Sequence, residues 1–231
     1  MRTSPIATMF DGISPHYDAL NHLLSLNIDK LWRKKTARRV AKQKPKAILD
    51  LATGTADLAI VLAKKNPQAH VTGADFSEKM LAVGETKVKK QNLEHQIELM
   101  QGDAAQLPFA DQSFDAVTVA FGVRNFEDCA KGLSEIHRVT KAGGQVAILE
   151  FSMPEHFPVK QLYSFYFKHL LPKIGKAVSK DASAYTYLPA SVESFPKPKE
   201  FKAILTENGW QDCQATSLTF GIATLYVAQK K

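Results

Sequence analysis

Apolar positions recur at three- and four-residue intervals between residues 15 and 43. Leu20, Leu23, Leu24, Ile28, Leu31 and Trp32 fall on one helical stripe, which Lys44-Pro45-Lys46 brings to an end. Beyond it the pattern changes to short apolar runs separated by amphipathic stretches. Ala47 to Leu51 predicts a strand and Asp57 to Lys65 a helix. His70 to Phe76 predicts a second strand, and Ser77 then caps a helix running to Gln91. Met80 stands where a capping box needs Glu or Gln, so that feature is absent. Strands at Ile97 to Met100 and Phe114 to Phe121 follow, then a helix at Asp128 to Val139. A turn at Lys141 to Gly144 leads into a buried strand, Gln145 to Phe151.

Alternation of this kind builds right-handed βαβ units and a mostly parallel sheet with helices on both faces. The tail breaks the rhythm. A helix at Lys199 to Asn208 stops at Gly209, and two β-rich runs, Trp210 to Thr219 and Ile222 to Ala228, join around Phe220-Gly221. So short a connection requires an antiparallel pair. The expected fold is therefore α/β: a seven-stranded, mostly parallel sheet ending in an antiparallel C-terminal hairpin. Such a sheet is similar to the Rossmann-like sheet of class I methyltransferases dependent on S-adenosyl-L-methionine (SAM). Residues 1–231 are read as a single domain, with 1–45 a helical N-terminal extension and 153–198 an insert. Within the insert, residues 160–171 read as helix and 183–196 as ordered loop. Its Tyr and Phe content marks it as a substrate-side element rather than a surface embellishment.

Composition narrows the function classes. The chain has 231 residues, 45% apolar and 23% charged, as expected of a globular protein able to bury one core. No apolar run approaches the roughly 20 residues of a membrane span, and the first 18 residues hold no secretory h-region. Cys129 and Cys213 lack metal-ligand spacing and read as free thiols in a reducing, cytoplasmic setting. The net charge is +7, and Leu31 to Lys46 carries eight basic residues with no acidic one. Such a segment is a solvated helix face, a nucleic-acid patch or a surface for anionic lipid. No RNA-binding aromatic motif or zinc-finger spacing accompanies it, which argues against nucleic acid. Trp32 among Arg33, Lys34 and Lys35 fits a surface making transient peripheral membrane contact.

Candidate chemistry lies at the predicted C-terminal ends of the strands, where open α/β sheets bind ligands. Thr53, Gly54 and Thr55 follow the first strand, Asp75 ends the second, and Asp103-Ala104 follows the third. Gly122, Arg124 and Asn125 follow the fourth. Gly54 permits close backbone approach, and Thr55 is placed to cap the next helix or bond a ligand. Asp75 suits two ribose hydroxyls, and Asp103 an adenine amino group. The loop LDLATGTADLA has one glycine where a dinucleotide site needs three, which favours SAM over NAD. On this reading Gly54 holds the unusual backbone geometry, while Ala52 and Ala56 keep ordinary negative φ. No metal is implied.

The stretches YDALNHLLSLNIDKLW, LDLATGTADLA, GADFS, DAAQLPFADQSFDAVTVAFGVRN, RVTKAGGQVAILEFS and LPKIGKAVSKDASAYTYLPASVESFP span nearly the whole chain. In that order they resemble the ubiquinone/menaquinone biosynthesis C-methyltransferase family. The resemblance implies methyl transfer from SAM to a ring carbon of a polyprenylated hydroquinone, with SAM contacts at Thr55, Asp75, Asp103 and Ala104. YDALNHLLSLNID leans toward the menaquinone-type members and a demethylmenaquinol substrate. A methoxy-benzoquinol, another small-molecule methyl acceptor, or a non-catalytic SAM-fold binding module are the alternatives. The chain departs from the family at Ala56, commonly Gly, at Leu20, Asp29 and Ala142, and at Ala120, where some relatives have Ser. Carbon methylation needs a neighbouring hydroxyl deprotonated or its oxyanion stabilised. Arg124 is the candidate for the oxyanion, with Asn125 positioning it; the competing role is a salt bridge to Glu127. His16, Tyr17 and Asp18 are candidate bases or orienting groups, and Tyr185 and Tyr187 candidate walls of the pocket. The oligomeric state stays open.

Overall fold

A computed structural model describes residues 27–166 and 183–231, together with residues 9, 11, 12, 18, 21, 22 and 25. Seven strands form one sheet: β1 (Ala47–Leu51), β2 (His70–Asp75), β3 (Ile97–Gln101), β4 (Phe114–Ala120), β5 (Thr140–Phe151), β6 (Gln211–Leu218) and β7 (Ala223–Gln229). The helices among the described residues are α1 (Ile28–Ala41), α2 (Asp57–Lys65), α3 (Glu78–Lys90), α4 (Cys129–Val139), α5 (Val159–Phe165), α6 (Ser183–Ser194) and α7 (Pro198–Glu207). The strand order is β3-β2-β1-β4-β5-β7-β6. β1 to β5 pair in parallel, and β7 lies antiparallel between β5 and β6, as the tail pattern predicts.

Both sheet faces are covered, which explains why the central strands read as unbroken apolar runs. One core gathers Val40 of α1, Leu62 of α2 and Val88 of α3 against Ile48, Val71 and Ala147. The other packs Leu133 and Ile136 of α4 and Phe201 and Leu205 of α7 against Leu49, Val117 and Ile148, with Trp210 and Tyr226 fully buried. The strand order reverses between β1 and β4, so a crevice opens at their C-terminal ends. Ser77 caps α3 as expected, its Oγ accepting from the Met80 N–H at 3.1 Å. Gly209, at φ 85°, ends α7.

Four expectations need correction. The N-terminal stripe is not one helix: Asn27 takes φ 61°, and α1 starts after it. On α1, Leu31 is 62% exposed and Trp32 only 4%, so Trp32 is core and no interfacial residue. Its indole N–H donates to Thr219 Oγ1 at 2.8 Å, and its ring meets Phe121 and Phe151. Arg33 is buried too, paired with Asp29 one turn earlier. Residues 141–144 form a bulged excursion within β5 rather than a turn before it: Thr140 pairs with Phe114 and Gln145 with Ala116. Residues 183–194 form helix α6, with Pro189 inside it, where a loop is predicted. Leu20, Leu23, Leu24, His16, Tyr17, residues 167–171 and the Tyr185 side chain lie outside the described residues. No described helix is long and apolar enough to cross a membrane. Cys129 and Cys213 are free thiols.

Candidate cofactor and substrate site

The β1–α2 loop contradicts the expectation for its alanines. Ala52 lies at φ 53°, Gly54 at 56° and Ala56 at 64°, so three alternate residues are left-handed. For an alanine this costs roughly 1–2 kcal/mol. The surroundings over-determine the loop. Thr53 N–H donates to the Ala74 carbonyl at 3.1 Å, Gly54 N–H to Asp75 Oδ2 at 2.8 Å, and Ala56 N–H to the Thr53 carbonyl at 3.0 Å. Packing keeps the residues small: a Cβ on Gly84 would stand 3.3 Å from that of Ala56, and one on Gly122 2.6 Å from that of Ala52. The backbone therefore makes the same demands as a glycine-rich nucleotide loop, and the low glycine count does not by itself separate SAM from NAD. Thr55 does not cap α2 either: Ala56 is the N-cap, without a side-chain bond.

Beneath the loop, Asp50 is fully buried and accepts from the Thr53 and Thr118 hydroxyls at 2.7 Å each. Burial pushes its carboxyl up to about 6, against the lowering effect of those hydroxyls. Behind the loop, Thr55 is buried, and its hydroxyl donates to Asp18 and accepts from Lys87 Nζ at 3.1 Å. Lys87 also pairs with Asp18 at 2.7 Å and with Asp57. Burial would raise the Asp57 carboxyl, yet Arg33 and Lys87 hold it below its ordinary range. His22, Asp29 and Asp57 bring ligand atoms within 4.8 Å of one another, but Arg33 and Lys87 already neutralise these carboxylates.

A cavity of about 770 Å³ opens at the ends of β1 to β4, within the range of small-molecule sites. Gly54, Asp75, Asp103 and Ala104 line it, as do Ala120, Phe121 and Asn125. Asp75 takes two backbone bonds, from Gly54 and from Ser77 at 2.9 Å. Burial raises its carboxyl despite those donors. Asp103 is exposed and accepts from the Ala105 N–H at 2.8 Å. Among the described lining residues four are acidic, Asp75, Asp103, Glu127 and Asp128, and one is basic, Lys131, so this part of the lining carries net negative charge. That charge favours a ligand carrying net positive charge and opposes a pyrophosphate.

Asn125 joins the cavity lining to a polar cluster of Arg124, Glu150 and Tyr187, which are not themselves among the lining residues. Arg124 follows β4 on a short 3-10 turn, Val123–Asn125, and its side chain is 6% exposed. It pairs with Glu150 of β5, whose side chain is fully buried, and donates to the Phe121 carbonyl at 2.6 Å. The expected alternative partner, Glu127, instead lines the cavity. Arg124 also lies 5.4 Å over the Phe151 ring, and its Nε–H has no acceptor among the described residues. Asn125 does not bond Arg124. Its Oδ1 accepts from the Tyr187 hydroxyl at 2.8 Å. Burial raises the Tyr187 phenol, which keeps it a donor. Sequence reasoning missed Glu150, although a lone carboxylate inside the run QVAILEF was a usable signal. It also missed Lys87, which nothing in its amphipathic helix distinguishes.

The model of the ubiE/COQ5 methyltransferase family matches residues 1–230 of this chain. A demethylmenaquinone methyltransferase of Bacteroides fragilis is 46% identical over 229 residues, 99% of this chain and 94% of that protein. One of Chlorobaculum parvum is 48% identical over 231 residues, covering 98% and 93%. A ubiquinone/menaquinone biosynthesis C-methyltransferase UbiE of Geobacter is 46% identical over 226 residues, covering 97% and 96%. Among solved structures, a SAM-dependent methyltransferase from Aquifex aeolicus superposes with a TM-score of 0.62 at 19% identity, over 84% of this chain and 89% of that one. The [4+2]-cyclase SpnF reaches 0.71 at 16% identity, over 97% and 94%. At such identities the structural likeness establishes the shared fold alone.

Proposed function

The chain belongs to the ubiE/COQ5 methyltransferase family, and on that premise we infer that it is a SAM-dependent C-methyltransferase of a polyprenylated hydroquinone, with demethylmenaquinol the leading substrate. The observation that carries the cofactor is the negative cavity at the strand ends. SAM has a net positive charge and fits it; a dinucleotide pyrophosphate does not. When bound, SAM supplies a sulfonium methyl that needs no further activation. The two outer lone pairs of Asp75 accept ribose hydroxyls, while Gly54 and Ser77 fix the carboxylate from behind. Asp103 and Ala104 take the adenine edge, and Gly54 lets the ligand approach the backbone. Thr55, turned to Asp18 and Lys87, acts by holding the loop.

On the substrate side Arg124 stabilises the phenolate that makes the ring carbon nucleophilic. Glu150 fixes the guanidinium, and the buried Nε–H, without an acceptor among the described residues, is the donor that would turn to the substrate oxygen. Asn125 and Tyr187 form the polar edge that orients the ring. Tyr17, outside the described residues, stays the candidate base. Residues 153–198 supply the substrate side and residues 1–45 cover the cofactor loop through Asp18. The free thiols support a reducing, cytoplasmic setting, and the apolar tail of the substrate supports transient contact at the membrane surface. Relatives named for demethylmenaquinone support the naphthoquinol over the benzoquinol.

The test incubates the protein with methyl-labelled SAM and, separately, demethylmenaquinol and demethylated methoxy-benzoquinol in detergent micelles. Label should enter the naphthoquinol ring, at a carbon, as read by product mass and fragmentation. Label in neither lipid rejects the reading, and label only in the benzoquinol moves the substrate to the second quinone class.

A further inference from the structure

The large apolar side chains that are exposed among the described residues gather at one end of the molecule. They are Leu31 of α1, Phe157, Leu162 and Phe165 of the insert, and Phe220 at the β6–β7 tip, at 57% to 81% exposure. All belong to elements that converge on Phe151, the last residue of β5. Trp32, beside Leu31, packs edge-on to the Phe151 ring at 6.0 Å and bonds Thr219, beside Phe220. Tyr163 of α5 packs among Phe151, Met153 and Ile222. A Cβ on Gly221 would stand 3.4 Å from Pro154, which puts the hairpin tip against the start of the insert. Arg124, over that same Phe151 ring, ties this end to the substrate wall.

Two further features set this end apart from ordinary surface. Thr219 and Phe220 both adopt left-handed backbone, at φ 46° and 58°, and Phe220 is 78% exposed. Thr219 gains the Trp32 bond in that conformation, whereas left-handed Phe220 leaves its ring mostly in water. Exposed cations also flank two of these apolar residues along their helices. Lys30, Lys34, Lys35 and Arg38 are exposed around Leu31 on α1, and Lys160 is exposed beside Leu162; Glu155 is the nearby carboxylate and His156 the nearby imidazole.

We propose that the β6–β7 tip, the outer face of α5 and the basic face of α1 together form a docking surface for an anionic phospholipid bilayer. Phe220, Phe157, Leu162 and Phe165 enter the interface, and the lysines meet the headgroups. This rests on the quinol reading, because a polyprenyl substrate then passes from bilayer to site without crossing water. It replaces the Trp32 surface, which is buried.

The experiment sediments the full chain with vesicles of phosphatidylcholine alone and with about one third phosphatidylglycerol. The charge-bearing vesicles should bind it and the neutral ones should not. K34A/K35A should weaken binding about fivefold for each lysine removed. F220N, which suits a left-handed position, and L162N/F165N should weaken it at least tenfold with an unchanged melting temperature. K34A/K35A and F220N should methylate a short-chain, water-soluble demethylated quinol as the native chain does, yet lose rate on a long-chain quinol held in vesicles. Equal binding to neutral vesicles, binding unchanged in F220N and L162N/F165N, or a concentration-dependent dimer broken by those variants overturns the proposal. Loss of the short-chain activity in the native chain rejects the quinol reading instead.

Discussion

The cavity's backbone loop and the polar cluster that adjoins it at Asn125 are made from different materials. On the cofactor side, backbone does the positioning: left-handed Ala52, Gly54 and Ala56, and N–H groups aimed at Asp75. On the proposed substrate side, side-chain pairs do it: Arg124 with Glu150, and Asn125 with Tyr187. A backbone wall tolerates substitution as long as φ and volume are respected. A side-chain wall fails when either partner is lost, because the other remains buried and unmatched.

That contrast can be broken most forcefully at Glu150. Glu150→Ala strands a buried guanidinium and should cost about 3–5 kcal/mol in urea unfolding. Arg124→Met/Glu150→Leu should recover most of the loss while leaving no methylation. A Glu150→Ala chain as stable as the native one would show that the pair does not hold this wall. The next effect concerns the support beneath the backbone wall. Asp50 titrates near 6 in the folded chain, above the ordinary 3.8, so the folded state holds the extra proton between those values. Its contribution to stability is therefore greatest below that window and declines as pH rises through it, by about 3 kcal/mol. Asp50→Asn should remove that slope, seen as a native-minus-variant difference between pH 4 and 7.

Smaller effects sharpen the division. Asp75→Asn should weaken SAM binding by about 1.5–3 kcal/mol in calorimetry and leave the quinol KM unchanged. Native SAM affinity should fall on acidification, starting above the ordinary carboxylate range because burial raises Asp75. A matching rise in quinol KM would mean the walls are not separable. Smallest is the alanine strain. Ala52→Gly should stabilise by about 0.5–1 kcal/mol, strain relief less the glycine's entropy. Ala56→Gly should be near neutral, since it also removes a fully buried methyl worth about 0.8 kcal/mol.

Legibility follows the same line. Strands buried on both faces announce themselves as apolar runs, so β1 to β4 and the hairpin were readable to within one residue at each end, and β5 only from Gln145 onward. Asp75, Asp103, Gly54 and Ala104 were readable because strand ends converge in any such sheet, and all four line the cavity. The φ values of Ala52 and Ala56 were not, since alanine carries no mark of a left-handed site; only the hydrogen bonds and close neighbours impose it. Arg124 was found but its partner was not, because Glu150 is near in space and 26 residues away in sequence. Trp32 was misplaced for a related reason: basic neighbours made it look superficial, while its burial depends on a hairpin at the far end of the chain.

That indole bond to Thr219 spans 187 positions. It therefore bears on the order in which the protein is made. Helix α1 leaves the ribosome early, yet the groups that close over Trp32, Phe151 and Thr219, come from the fifth strand and the last hairpin. Contacts of such sequence separation form late and slow the search for the native state. The emerging chain keeps a tryptophan uncovered through most of synthesis, and a transcript stopped short of codon 219 yields a product with helix α1 unsealed.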